Sequence, residues 1–274
     1  MPIVNIPGVG DVVLVDREQL RFTTHGRQAS IPRHLRAMLA NIPPNPAVFD
    51  WSKGETIKFP TLGNDRYGDC YLVDILHWIQ AMTGNATGTQ SQFDLQAVIQ
   101  KYLQMSPGDN GLDDGQIFPA WKSGLFGHKI LDEMTINPAD TATMALCMWG
   151  WCGLSWTCAL PKGWANNARP GATWGPNSGP PVGGHAMYQS GCNFKGGYDA
   201  RTWGISPPIN VTHAGLMSAD PEVVVAFSLD MFNVNGVAPC GASYDQLAAL
   251  WVQLGGKHLP PNPFPPAQPL DWWA

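Results

Sequence analysis

Gly63-Asn64-Asp65-Arg66-Tyr67-Gly68-Asp69-Cys70-Tyr71 runs directly into Leu72-Val73-Asp74-Ile75-Leu76-His77-Trp78-Ile79-Gln80-Ala81-Met82. In the second part Leu72, Ile75, Leu76, Ile79 and Met82 fall at i, i+3, i+4, i+7 and i+10, the spacing of one buried helical stripe, and Thr83-Gly84 reads as its stop. The polar, glycine-containing first part is non-helical, so Cys70 stands at a helix N-terminus. Unpaired backbone N–H groups and the positive dipole end favour a thiolate there. A cysteine at a helix start is otherwise just a small buried hydrophobe. The expectation is an activated Cys70 that outpaces the other five cysteines toward an alkylating agent.

Outward from this helix, the chain reads as globular. Its 274 residues are 44% hydrophobic and 14% charged, enough for one large or two modest cores. A formal net charge of -5 supports neither nucleic-acid binding nor attachment to an anionic membrane surface. No apolar run is long enough to span a bilayer, and Met1-Pro2-Ile3-Val4-Asn5 lacks the basic and apolar regions of a secretory signal. Cytoplasmic residence, or another reducing compartment, is therefore expected, with release or virion association left open. The six cysteines are too scattered for a disulfide framework. Cys147, Cys152 and Cys158 lack the paired short spacing of a zinc site and lie among Trp149, Trp151 and Trp156, which reads as core. No metal and no cofactor is expected.

Other elements follow from periodicity. A preface over residues 1–48 holds a Val12-Val13-Leu14-Val15 strand and a basic helix from Pro32 to Ile42, broken by Pro43-Pro44-Asn45-Pro46. A second helix starts at a Ser91 cap with Asp94 three residues on and buries Leu95, Val98, Ile99, Tyr102 and Leu103. A third runs over about 116–125, and a fourth starts at Pro138 with Asn137 as cap. Residues 161–184 are rich in Gly, Pro, Asn and Trp without period, a long loop of the functional or mobile kind. Strand patterns then cover His185–Ser190, Tyr198–Ile205 and Val223–Leu229. The last helix opens at Ser243 with Gln246 completing a capping box, and a polyproline-like tail ends in Trp272-Trp273-Ala274.

The ordered landmarks resemble the papain-like cysteine peptidases. Asp50-Trp51 matches the pair that opens that domain, and Asn64, six residues before Cys70, stands where the family has a Gln. Gly68-Asp69 precedes the nucleophile and Tyr71 follows it as the aromatic. Gly111-Leu112-Asp113-Asp114-Gly115 is similar to the Gly-rich cleft loop, Ala145 to Trp156 to the buried helix-to-strand step, Gly183-Gly184-His185-Ala186 to the strand of the catalytic His, and Thr202-Trp203-Gly204 to the Asn-Ser-Trp-Gly turn. The resemblance covers 49 to about 230. It implies an α+β fold with a helical half opened by the nucleophile's helix, an antiparallel sheet half and a cleft between them. The division expected is a 1–48 extension, a 49–240 catalytic domain, and a 241–274 helix and tail. The family's disulfide would join positions 67 and 112, which are Tyr67 and Leu112 here, a further pointer to a reducing compartment.

On that resemblance Cys70 is the nucleophile, His185 the base, and Asn64 an oxyanion donor beside the Cys70 backbone N–H, with Asp114 and Gly115 lining the substrate cleft. His77, His128 and His213 are weaker candidates: the first lies two turns along the Cys70 helix, and the others read as structural or solvated. The position of the family's orienting Asn is Arg201, which cannot accept an imidazole N–H. Asp199, two residues earlier, could serve only through a strand bulge; without one the site is a Cys-His dyad with Trp203 covering the imidazole. The function expected is hydrolysis of a peptide, isopeptide or related amide bond in a peptide or protein substrate. The alternatives are a non-catalytic papain-fold binding module, and an acyl-transfer enzyme of the transglutaminase or deamidase kind.

Overall fold

The computed structural model describes residues 2–16, 28–29, 46–176, 178–193 and 196–265. The basic helix expected over 32–42 and the Trp-ended tail lie outside the described residues. In chain order the elements are β1 (Ile3–Ile6), β2 (Gly10–Val13), β3 (Gln28–Ala29), β4 (Phe49–Asp50), α1 (Cys70–Thr87), α2 (Leu95–Met105), α3 (Asp114–Gly124), β5 (Ile130–Ile136), α4 (Thr141–Gly150), β6 (Leu154–Pro161), α5 (Lys162–Asn166), β7 (Thr173–Trp174), β8 (Pro181–Cys192), β9 (Gly197–Arg201), β10 (Ile209–Thr212), α6 (His213–Ser218), β11 (Glu222–Ser228) and α7 (Tyr244–Gln253).

Helices come first and a mainly antiparallel sheet second, as expected of an α+β chain. β1 and β2 pair as a separate hairpin. The large sheet runs β3-β5-β11-β6-β8-β9-β10-β7, with β4 added against β8. Among the described residues only β3 with β5 and β7 with β10 are parallel. α1 is buried along nearly its whole length and packs across β8 and β6, which brings Cys70 to the middle of the molecule.

Several boundaries differ from the periodic reading, each for a local reason. α1 passes Thr83-Gly84 and ends at Gly88, whose φ of 80° makes a left-handed cap. Gly84 stays helical because Ile57 packs against it; a Cβ there would come 2.9 Å from Ile57 Cδ1. α2 is capped by Asp94, which accepts the Ala97 N–H at 2.9 Å, and not by Ser91. α4 is capped by Asp140 and not by Asn137, because Asn137-Pro138 is used in the preceding turn. α3 starts two residues before the expected 116, with Asp113 and Gln116 as a capping box. α7 opens at Ser243 and Gln246 as read from the sequence.

The 161–184 stretch is not a structureless loop. It contains α5 and β7, and β8 begins at Pro181, four residues before the expected strand start. Tryptophans do this ordering: Trp164 and Trp174 stack with ring centroids 4.9 Å apart, and Trp164 Nε1 donates to Gly175 O at 2.8 Å. β5 has the alternating burial of a half-covered strand over Ile130–Ile136, a pattern the sequence reading passed over.

Candidate active site

Cys70 is the first residue of α1 and His185 lies in β8, and both are fully buried, at 1% and 0% exposure. The link between the two elements runs through the residue after the histidine: the Ala186 backbone acts on the Cys70 thiol, lowering its proton affinity against the effect of burial. Trp203 stacks on the His185 ring at 4.3 Å between centroids and 19° between planes. It is the end of an aromatic series through Trp174, Trp164 and Trp156, so the 161–184 segment supports the ring indirectly.

The group that holds the imidazole is Thr202, which the sequence reading missed. Its Oγ1 lies 2.6 Å from His185 Nε2, while Nδ1 has no hydrogen-bond partner among the described residues. Strand register explains why neither Arg201 nor Asp199 does this. Tyr188 pairs with Arg201 and Gln189 with Ala200. Continued by one residue, that register sets Thr202 across from Met187, on the face His185 shares with Met187, while Arg201 and Asp199 project from the other face. A register shift does occur, between Gln189 and Gly191, but it bends β8 without bringing Asp199 across. Asp199 accepts from Asn193 Nδ2 at 2.8 Å instead. The available signal was the hydroxyl directly before Trp203, one residue off the position inspected.

Arg201 has a different task. Buried at 1% exposure, it donates Nε to Ser190 Oγ at 3.0 Å, pairs through Nη2 with Asp50 at 3.2 Å and through Nη1 with Glu55, and covers the Phe59 ring. It thereby ties the Asp50-Trp51 opening to β9.

Burial overrides the helix dipole at Cys70. Desolvation pushes the thiol up to about 12, with the Ala186 backbone only partly opposing it, and pushes His185 down to about 3. The resting pair is therefore a neutral thiol and a neutral imidazole, which corrects the expectation of a resting thiolate. Two buried carboxyls beside the thiol, Asp69 and Asp74, are raised by desolvation as well, and Asp74 is hydrogen-bonded by Ser155 Oγ.

The N-terminal segment packs on the two residues just before His185. Val15 bridges to Gly184, and the Gly184 N–H donates to Val15 O at 2.6 Å. At Gly183 the approach is so close that a Cβ would meet Leu14 Cβ at 2.6 Å. The two residues before His185 are thus pressed under Leu14 and Val15, both fully buried.

Asn64 lies in the turn before Cys70, buried at 2%, with its Oδ1 unsatisfied among the described residues. Asp114 and Gly115 form the first turn of α3, Asp114 buried and Gly115 exposed. They do not line the neighbouring cavity of about 300 Å³, whose walls are Met105–Gly108, Asn110–Asp113 and Gln116. The same loop is fastened to the pre-Cys70 segment by hydrogen bonds. Asp109 Oδ1 accepts from the Gly68 N–H at 2.9 Å and from Tyr102 O–H at 2.7 Å, and Tyr102 Oη accepts from the Gly111 N–H at 3.0 Å. This network joins the segments that contain Tyr67 and Leu112. His77 is spent on Pro60 O at 2.8 Å, and His213 on Tyr198 Oη at 3.1 Å.

No protein-family model matches the sequence, and no curated protein matches it. Solved structures do match. Xylellain, a cysteine protease from Xylella fastidiosa, superposes with a TM-score of 0.56 at 12% identity, over 79% of this chain and 99% of that one. Procathepsin B S9 from Trypanosoma congolense gives 0.53 at 10%, over 78% and 86%, and procathepsin L2 from Tenebrio molitor larval midgut 0.52 at 13%, over 77% and 78%. The chain has the papain-like fold. Among the described residues no helix is long and apolar enough to cross a membrane.

Proposed function

We propose that the protein is a papain-like cysteine hydrolase that cleaves a peptide, isopeptide or related amide bond. Cys70 is the nucleophile, His185 the general base and then acid, and Thr202 the positioning residue. The observation that carries this reading is the asymmetry of the imidazole. Nε2 is held by Thr202 while Nδ1 has no hydrogen-bond partner among the described residues. With the Nε2 proton donated to Thr202, the Nδ1 lone pair is free to take the thiol proton. The thiolate then attacks the carbonyl carbon, the Cys70 N–H and the Asn64 amide face the developing oxyanion, and imidazolium returns a proton to the leaving amine.

In the closed state the proton stays on sulfur, because neither ion is solvated. Turnover therefore requires the Leu14-Val15 segment to leave Gly183-Gly184, which admits water and a substrate strand and brings the two proton affinities together. The test is hydrolysis of a fluorogenic peptide amide library by the full chain, with Cys70→Ala and His185→Ala as controls. Cleavage that survives either substitution refutes the assignment.

The complete burial of both groups favours a second reading, a papain-fold binding module in which the site never opens. A protein that cleaves no amide, yet whose Cys70 stays unmodified by iodoacetamide with the N-terminal segment removed, is such a module. The acyl-transfer alternative shares the Cys-His geometry and fitted Asp199 as an orienting carboxylate, and the Asp199 bond to Asn193 takes that carboxylate elsewhere. Residence in a reducing compartment is proposed from the absence of cysteine at 67 and 112; a melting temperature unchanged by reductant is expected, and a large drop would refute it.

A further inference from the structure

Ser91 and His128, remote from each other in the sequence, meet in the folded chain. Ser91 Oγ lies 3.1 Å from His128 Nε2, and His128 Nδ1 lies 3.1 Å from Asp230 Oδ1. Three segments distant in sequence supply them: the α1–α2 connection, the Leu125–His128 turn and the turn that follows β11. A carboxylate can only accept, so Asp230 fixes a proton on Nδ1 and leaves the Nε2 lone pair facing the Ser91 hydroxyl. Asp230 is itself oriented, its backbone N–H donating to Ser228 Oγ at 3.1 Å. The turn that presents His128 is closed by reciprocal backbone bonds with Leu125, both 2.9 Å.

The order nucleophile, base and base-orienting carboxylate is that of an activated serine, with each atom in its functional tautomer. Unlike Cys70 and His185, this cluster is open to solvent, with the His128 and Asp230 side chains 19% and 22% exposed. Phe93 stands edge-on to both His128 and Phe126, so aromatic rings flank the imidazole. The Ser91 N–H is taken by Thr83 Oγ1 at 2.9 Å. The following N–H, that of exposed Gln92, donates to no protein acceptor among the described residues and is a donor available to an oxyanion.

We propose that Ser91, His128 and Asp230 form a second, serine-based site that hydrolyses small aryl esters independently of Cys70. Ser91 Oγ forms a bond to the ester carbonyl carbon as its proton passes to His128 Nε2, and the carbonyl π pair moves onto oxygen. Collapse re-forms the carbonyl, breaks the bond to the aryl oxygen and gives that oxygen the proton from Nε2. Water repeats the sequence on acyl-Ser91, releasing the carboxylic acid and restoring the serine.

The test is labelling of the full-length protein by a fluorophosphonate, with the adduct located by peptide mass. We expect modification at Ser91 in preference to the other serines. His128→Ala should slow it about a hundredfold. Asp230→Asn should slow it at least about tenfold by favouring the wrong tautomer. No adduct on Ser91, or an adduct formed as fast in His128→Ala, overturns the proposal. Should His128→Ala fail to fold, the Asp230→Asn rate decides on the same terms, an unchanged rate meaning that the cluster is only a brace between segments.

Discussion

Replacing Thr202 by valine removes one hydroxyl and almost no volume, and so isolates the contact that holds His185. The pair is 2.6 Å apart, Thr202 is 2% exposed and the ring 0%, so no water can take over the lost bond in the closed state. An orphaned buried imidazole N–H costs about 1–3 kcal/mol. Trp203 still covers the ring face, so the imidazole stays in place but loses its preference for a proton on Nε2. If that whole cost falls on the transition state, kcat/KM drops by about fivefold to 160-fold, since 1.36 kcal/mol is a factor of ten. Thr202→Ser keeps an acceptor and should stay within a few-fold of the parent. The assay is amide hydrolysis by the purified variants, beside Asp199→Asn as a comparison. Thr202→Val at parental activity together with a tenfold loss in Asp199→Asn would refute the assignment, because it would place the orienting group on the opposite face of β9.

Three further outcomes are expected. His185 is depressed in the fold to about 3 against 6.5 unfolded, so below pH 6.5 the unfolded chain binds a proton the fold refuses and stability falls toward pH 3. Asp69 and Asp74, raised in the fold, act with the opposite sign, so the contribution is read as the difference between parent and His185→Gln: about 2–3 kcal/mol more loss for the parent between pH 6.5 and 4.5 in urea melts, with a constant difference counting against it. Iodoacetamide should modify Cys70 more slowly than partly exposed Cys192 in the intact chain, and removal of residues 1–16 should reverse that order; peptide mass spectrometry reads both, and an unchanged order means the N-terminal segment is not the cover. Asp109→Ala should cost about 1–3 kcal/mol, because it strands the Gly68 N–H and the Tyr102 hydroxyl together, and a melting curve like the parent's would show the network to be idle.

What the sequence determined by itself was local. The apolar period after Cys70 is enough to make α1 and to put the cysteine at its first turn, and Ser243 with Gln246 is enough to start α7, because caps and amphipathic stripes are decided within a few residues. The ordered motifs from Asp50-Trp51 to Trp203-Gly204 likewise carried the α+β division and the pairing of Cys70 with His185 as candidates. The partner of the imidazole was decided by tertiary structure, since one residue of register between β8 and β9 chooses whether 201 or 202 shares the histidine's face. So was the ionisation of Cys70: a helix terminus favours the anion, but desolvation depends on what the whole fold packs around the sulfur. The order within 161–184 comes from indole stacking across Trp164 and Trp174, which no window of the sequence reveals as a period. The meeting of Ser91, His128 and Asp230 is of the same kind, because only the packing of three remote segments sets those atoms within hydrogen-bond reach.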